Sequence, residues 1–223
     1  MSTLVSTQPP KPIDLEPRWP AILAFLAIGG LRFILPESLS LGPRWLMFAV
    51  IGGLLIPLVW ARRRGSHNVN QVLGYVLNSL ITADMAWSLW LLIASLPTHK
   101  LSPGDLLRSA AALWITNILV FAAWYWRLDG GGPRARELRG PHKDGAFLFP
   151  QMTLTPELAK QMGENLWSPN FVDYLFIAFN TSTAFSPTDS PVLSRWAKTL
   201  MMVQALISFA TVALLAARAV NIL

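Results

Sequence analysis

The feature that most constrains this chain is the recurrence of apolar blocks about twenty residues long, bounded by prolines, tryptophans and arginines. A helix needs about 20 apolar residues to cross roughly 30 Å of hydrocarbon. Five blocks meet that length: 19–35, ended by Pro36; 44–61, with Trp45 and Trp60 at its ends; 71–96, closed by Pro97; 106–126, leaving through Trp124, Tyr125 and Trp126; and 195–223, opened by Trp196. Aromatic residues at span ends fit an interfacial belt. Of the 223 residues 53% are hydrophobic and 13% charged, whereas soluble domains carry about 25% charged residues. The sequence therefore predicts an all-α, polytopic transmembrane helical bundle of five long spans plus one short or re-entrant helix.

The sixth segment, 170–186, lies between Pro169 and Pro187. At 1.5 Å per residue it reaches only about 26 Å, and its second half, Asn180-Thr181-Ser182-Thr183, is polar. Polar backbone at membrane depth survives only against protein or a wet cavity, so this segment should not face lipid. Arg62, Arg63 and Arg64 follow the second block, and Arg127, Arg134, Arg136, Arg139, Lys143 and Lys160 follow the fourth. The turns after the first and third hold Arg44, Lys100 and Arg108, with Arg32 close by. The positive-inside bias then places the N-terminus, the triple-arginine loop and residues 127–170 in the cytoplasm of a cell with a plasma (inner) membrane. If 170–186 crosses, there are six spans and a cytoplasmic C-terminus; if it re-enters, there are five and the C-terminus is outside. The sequence favours six.

Four regions follow. Residues 1–18 are a proline-rich tail expected to be disordered or extended, with no continuous apolar core and so not a cleavable signal. Residues 19–126 form a four-helix transmembrane region, 127–170 a basic cytoplasmic loop, and 171–223 the short membrane helix plus the final span. Within the loop, Asp129-Gly130-Gly131-Gly132-Pro133 breaks the chain. The stretch 145–150 is too short to span and is expected at the interface or plugging the underside of the bundle. Ile28-Gly29-Gly30-Leu31 and Ile51-Gly52-Gly53-Leu54 suggest close packing of two antiparallel helices through small residues.

Several chemistries are excluded or left without support. There is no cysteine, so no disulfide or thiolate site. No His-Glu-x-x-His, phosphate loop or Gly-x-Ser-x-Gly elbow occurs, and the glycines at 130–132 do not follow a strand. His67, His99 and His142 fall in loops on opposite faces, so no metal or cofactor is expected. An enzyme is not expected; a lipid-modifying intramembrane enzyme would lack a recognisable nucleophile. The net charge of +6 sits between apolar blocks, which suits anionic lipid rather than nucleic acid. Arg62, Arg63 and Arg64 are topology anchors or lipid contacts.

The buried polar residues carry what functional signal there is. Asp84 lies at the middle of the third span, where an acid costs roughly 2.5–3.5 kcal/mol on insertion scales and marks an ion pathway, a proton relay or a buried pair. Asp84 and Ser88 share one side of that helix, Asn78 and Thr82 another, so the third span should be central. Asn117 is at similar depth in the fourth span, and Asn180 shares a stripe with Asp173, Ile177 and Ala184. Gln204, Thr211 and Arg218 recur every seven residues in the last span, with Ser208 on the same face. A cluster of Asp84, Asn117, Asn180 and Ser208, joined by Thr181, Ser182, Thr183 and Gln204, would line a path for protons or small cations in a channel or transporter. Separate interhelical hydrogen bonds are the structural alternative. The alternative function is a structural or adaptor protein whose basic loop binds a cytoplasmic partner or anionic lipid. Ala213 and Ala217, four apart, permit a close contact in a homo-oligomer.

Residues 171–210 resemble the pore loop plus inner helix of potassium-channel-like proteins. Phe171-Val172-Asp173-Tyr174-Leu175-Phe176-Ile177-Ala178-Phe179 resembles a pore helix, and Asn180-Thr181-Ser182-Thr183-Ala184-Phe185 stands where a threonine-rich filter would begin. The Gly-Tyr-Gly filter is missing, and Ala184-Phe185-Ser186 occupies its place. The chain also resembles an uncharacterised family of bacterial multi-pass membrane proteins. That likeness rests on four leading spans, then Gly145, Phe149-Pro150, Pro169, Asp173-Tyr174, the threonine-rich run, Asp189, Arg195 and Ser208-Phe209. It implies an integral membrane protein and no particular activity.

Overall fold

The computed structural model describes residues 16–98, 101–139, 142, 144–164, 167–183 and 190–220. The tail 1–15, His99, Lys100, Lys143, the filter position 184–186, Asp189 and the side chain of Arg218 lie outside the described residues. Among the described residues all regular structure is helical: α1 (Trp19–Leu31), α2 (Trp45–Arg63), α3 (His67–Ser95), α4 (Pro103–Leu128), α5 (Pro133–Arg139), α6 (Pro156–Gln161), α7 (Phe171–Thr183) and α8 (Arg195–Val220).

Local chemistry sets the helix ends. Ser102 caps α4 by accepting from the Asp105 amide at 3.1 Å, with Pro103 at the first position, where its missing N–H costs nothing. Asn170 caps α7: its side chain accepts from the Val172 amide at 2.8 Å while Asp173 accepts back from the Asn170 amide at 2.7 Å. Ser194 accepts from the Ala197 amide at the start of α8.

Helices α2, α3, α4 and α8 are long and apolar enough to cross a membrane. The first block is shorter than expected. It makes a 13-residue helix with a 3-10 turn at Arg32–Ile34, because Pro36 holds Leu35 in extended backbone. Large apolar side chains such as Ile56, Trp90, Leu206 and Phe209 are exposed around the outside, the pattern of a bundle solvated by hydrocarbon rather than water.

The central helix is α4, not α3. It packs on α1, α3, α7 and α8, and 67% of its apolar stretch is buried against 33% for α3. Helix α3 carries polar groups on two faces because it is sandwiched. Thr82 accepts from Trp124 Nε1 of α4 at 2.9 Å, while Asp84 meets Arg32 beyond the end of α1.

One end of the bundle collects the cations. Glu137 of α5 receives Arg18 at 2.8 Å, Arg134 at 3.3 Å and Arg62 at 3.8 Å. These contacts bring the start of α1 and the end of α2 to the C-terminal end of α4. Burial pulls the Arg18 pKa below its ordinary value, with Glu16 and Glu137 opposing. We call this the basic end.

Helices α7 and α8 run parallel. Phe147 packs against Tyr174 near the start of α7 and against Trp196 at the start of α8, while Ser182 near the end of α7 meets Ser208, three turns into α8. Val192 is back beside Phe147 in an antiparallel bridge. The starts of α7 and α8 therefore lie together at the basic end. The expectation of a sixth crossing finds no helix of spanning length here. A 13-residue helix reaches about 20 Å, too little to span. Its outward stripe, Val172, Phe176 and Phe179, is exposed and apolar, and Thr183 beyond it is exposed too, so the expectation that this segment is kept from the surroundings fails for its outer face.

Candidate functional site

Gln204 is the hub of a polar knot among α4, α7 and α8. It is fully buried. Its Oε1 accepts from Tyr125 Oη at 2.6 Å, and its Nε2 donates to the Ala178 carbonyl at 2.7 Å and to Ser182 Oγ at 2.8 Å. Asn117 Nδ2 donates to the Gln204 carbonyl at 3.2 Å. One turn on, Ser208 Oγ donates to the Ser182 carbonyl at 2.7 Å and accepts from Trp114 Nε1 at 2.9 Å. The seven-residue recurrence in the last span places Gln204 and Thr211 on the inner side of α8, both fully buried.

Four residues singled out in the sequence, Asn117, Ser182, Gln204 and Ser208, thus meet. The others do not join them. Thr181 is buried but donates to the Ile177 carbonyl of its own helix. Asn180 is half-buried, and Thr183 is exposed with its hydroxyl turned to the Phe179 carbonyl.

Asp84 belongs to a second site. Its Oδ1 lies 2.7 Å from Arg32 Nη2, and Arg32 Nη1 also donates to Ser88 Oγ. Both charged side chains are nearly buried, at 5% and 11% exposure. The pair and the neighbouring void of about 10 Å³ lie between α1, α3 and α4. The sequence groups Arg32 with the turn charges; its position three residues before Leu35-Pro36 carries no sign that it faces inward.

Tyr125 and Trp114 were also missed as polar partners. The sequence placed Tyr125 and Trp126 in an interfacial belt, but both are buried. The available signal was spacing: Trp114, Asn117, Phe121 and Tyr125 recur on one helical face. By contrast, Trp19, Trp45 and Trp60 at other block ends are exposed.

The basic end is sealed by a third arrangement. Asp129 is fully buried just beyond α4. Tyr174 Oη donates to its Oδ2 at 2.7 Å, the Ala146 amide donates to its Oδ1, and His142 Nε2 stands 3.4 Å from Oδ2. Arg136 donates to the Asp129 and Trp126 carbonyls and pairs with Glu16 at 3.1 Å. Gly130, Gly131 and Gly132 all adopt positive φ, which folds α5 back beneath α4. A Cβ on Gly145 would lie 2.9 Å from Asp129 Oδ1. Phe147 and Phe149, from the stretch too short to span, are buried at this node.

Arg62 lies in the glutamate cluster, Arg63 is exposed, and Arg64 stacks over Trp60 at 3.8 Å. Among the described residues no group of three His, Asp or Glu side chains could hold a metal. No family model, curated protein or solved structure matches the chain.

Proposed function

We propose that the chain is an integral membrane protein that conducts protons or small cations along the inner end of α7. The observation that carries the reading is a half-length helix, parallel to α8, whose hydroxyl- and amide-rich end stops in the middle of an apolar bundle. A helix C-terminus bears partial negative charge, which favours a cation there. Asn180 and Thr183, on the open side of α7, supply the oxygen ligands, while the Gln204 knot behind them holds α7 in place. Because Thr183 is exposed in a single chain, a second copy completes the path and covers it. The likeness to a pore loop plus inner helix points the same way. The basic end faces the cytoplasm, with the N-terminus, and the membrane is the cell's plasma (inner) membrane. In this reading Arg32 and Asp84 join α1 to α3 and take no part in conduction.

The test is flux in proteoliposomes with a pH dye and a panel of monovalent cations. Asn180→Leu and Thr183→Val are expected to lower flux at least about tenfold without shifting Tm, since neither makes a contact to another helix that the Gln204 knot needs. Wild-type flux no greater than that of empty liposomes, for every ion, would remove the reading.

A further inference from the structure

Helices α1 and α2 touch closely at the end away from the cations. A Cβ on Gly29 would fall 2.8 Å from Phe48 Cδ2. Toward the basic end the two helices part, leaving a cavity of about 530 Å³ bounded also by α3, α4 and α5. Its inner wall is apolar: Ala21, Ile22 and Phe25 from α1, and Leu55, Leu58 and Val59 from α2. Five arginines and one carboxylate line its mouth: Arg18, Arg62, Arg63, Arg127 and Arg134, with Glu137.

Arg127 is the anomaly. Its side chain is buried, with the residue 4% exposed. Among the described residues no carboxylate forms an ion pair with it, and its Nε has no hydrogen-bond partner. It lies over the Trp126 ring at 5.3 Å, and its guanidinium packs so tightly on α3 that a Cβ on Gly74 would overlap it. The nearby acids are committed elsewhere. Glu137 serves Arg18, Arg62 and Arg134, and Glu16 serves Arg136 and the Trp126 indole. A buried cation without an anion is costly, and a guanidinium fork matches phosphate oxygens.

We propose that this cavity binds one anionic phospholipid, with its phosphate on Arg127 flanked by Arg18 and Arg63 and an acyl chain between α1 and α2. The apolar wall, continuous with the charged mouth, selects a lipid over a free phosphate ester. The proposal is independent of conduction, since α7 contributes no described residue to the lining of the cavity.

The protein in neutral detergent is titrated with phosphatidylglycerol, phosphatidylcholine or glycerol phosphate, and Tm is followed. Phosphatidylglycerol is expected to raise Tm saturably, and the other two to leave it unchanged. Arg127→Met, which removes the stranded charge, is expected to fold and to weaken the phosphatidylglycerol response at least about tenfold, the loss of a charged hydrogen bond. Val59→Trp, filling the half-buried apolar wall, is expected to abolish the response with Arg127 intact. An equal shift with phosphatidylcholine would overturn recognition of the charge. An equal shift with glycerol phosphate would overturn the lipid in favour of a soluble anion. A response unchanged in both variants would overturn the site.

Discussion

A carboxylate in the middle of an apolar span needs a partner, and Asp84 finds one in Arg32. Removing one member of a buried pair strands the other charge, at a cost of about 3–5 kcal/mol, whereas replacing both with apolar residues is often neutral. Asp84→Asn and Arg32→Met are therefore each expected to lower the unfolding midpoint sharply in detergent, and Arg32→Met with Asp84→Leu to restore most of it. A second residue goes the other way. Neither side-chain atom of Asn78 has a hydrogen-bond partner among the described residues, and the residue is 2% exposed. Asn78→Leu is expected to stabilise by about 1–3 kcal/mol, the penalty of an unsatisfied buried amide; equal or lower stability in thermal melts would contradict this. The need for a partner at Asp84 was legible in the sequence. Its identity was not, because helical periodicity orders residues around one axis and says nothing about which faces of two helices meet. Gln204 and Ser208 were legible for the opposite reason, since their recurrence defines a face that hydrocarbon would reject.

At the level of elements, the signals that survived were chemical stops and starts. Pro36 ended the first block, and Pro169 marked the start of α7. The length of α1 and the centrality of α4 did not come through. Helix α4 is rich in alanine and aromatic residues on its inner side, and apolar residues facing protein look the same in sequence as those facing lipid. Two substitutions probe the elements directly. Asn170→Ala removes the cap of α7 and is expected to cost about 1 kcal/mol, read as a lower midpoint in chemical unfolding. Gly132→Ala is expected to cost more. It sits at φ +93°, and a Cβ would stand 2.9 Å from the Arg127 carbonyl, so positive-φ strain and a backbone clash combine. If Gly132→Ala unfolds as the wild type does, the turn beneath α4 is not held as described, and if Asn170→Ala does, the α7 cap is not.

For the molecule as a whole, the decisive feature is that α7 and α8 start at the same end. The start of α1 and the start of α8 lie at the basic end, and α8 runs away from it beside α4. The two ends of the described chain are therefore on opposite faces of the bundle. A single cysteine introduced at Leu223 is expected to react with an impermeant maleimide from the face opposite to one introduced at Gly65, next to the triple arginine. The absence of native cysteine gives a clean background. Labelling of both from the same face would mean that α7 crosses. Charge in the loops indicated which end is basic; it could not decide between a short crossing and a return, because both leave the same residues at the same end of α7.

The seal around Asp129 also bears on how the protein is made. Its partners arrive at different times: His142 and the Ala146 amide follow it closely, but Tyr174 is made 45 residues after it, and Val192, bridged to Phe147, later still. Until α7 and α8 are made, Asp129 lacks its tyrosine donor and the inner side of α4 is uncovered. A nascent chain halted before Phe171 would leave that side of α4 open, so synthesis of α7 and α8 is itself the step that makes the earlier half durable.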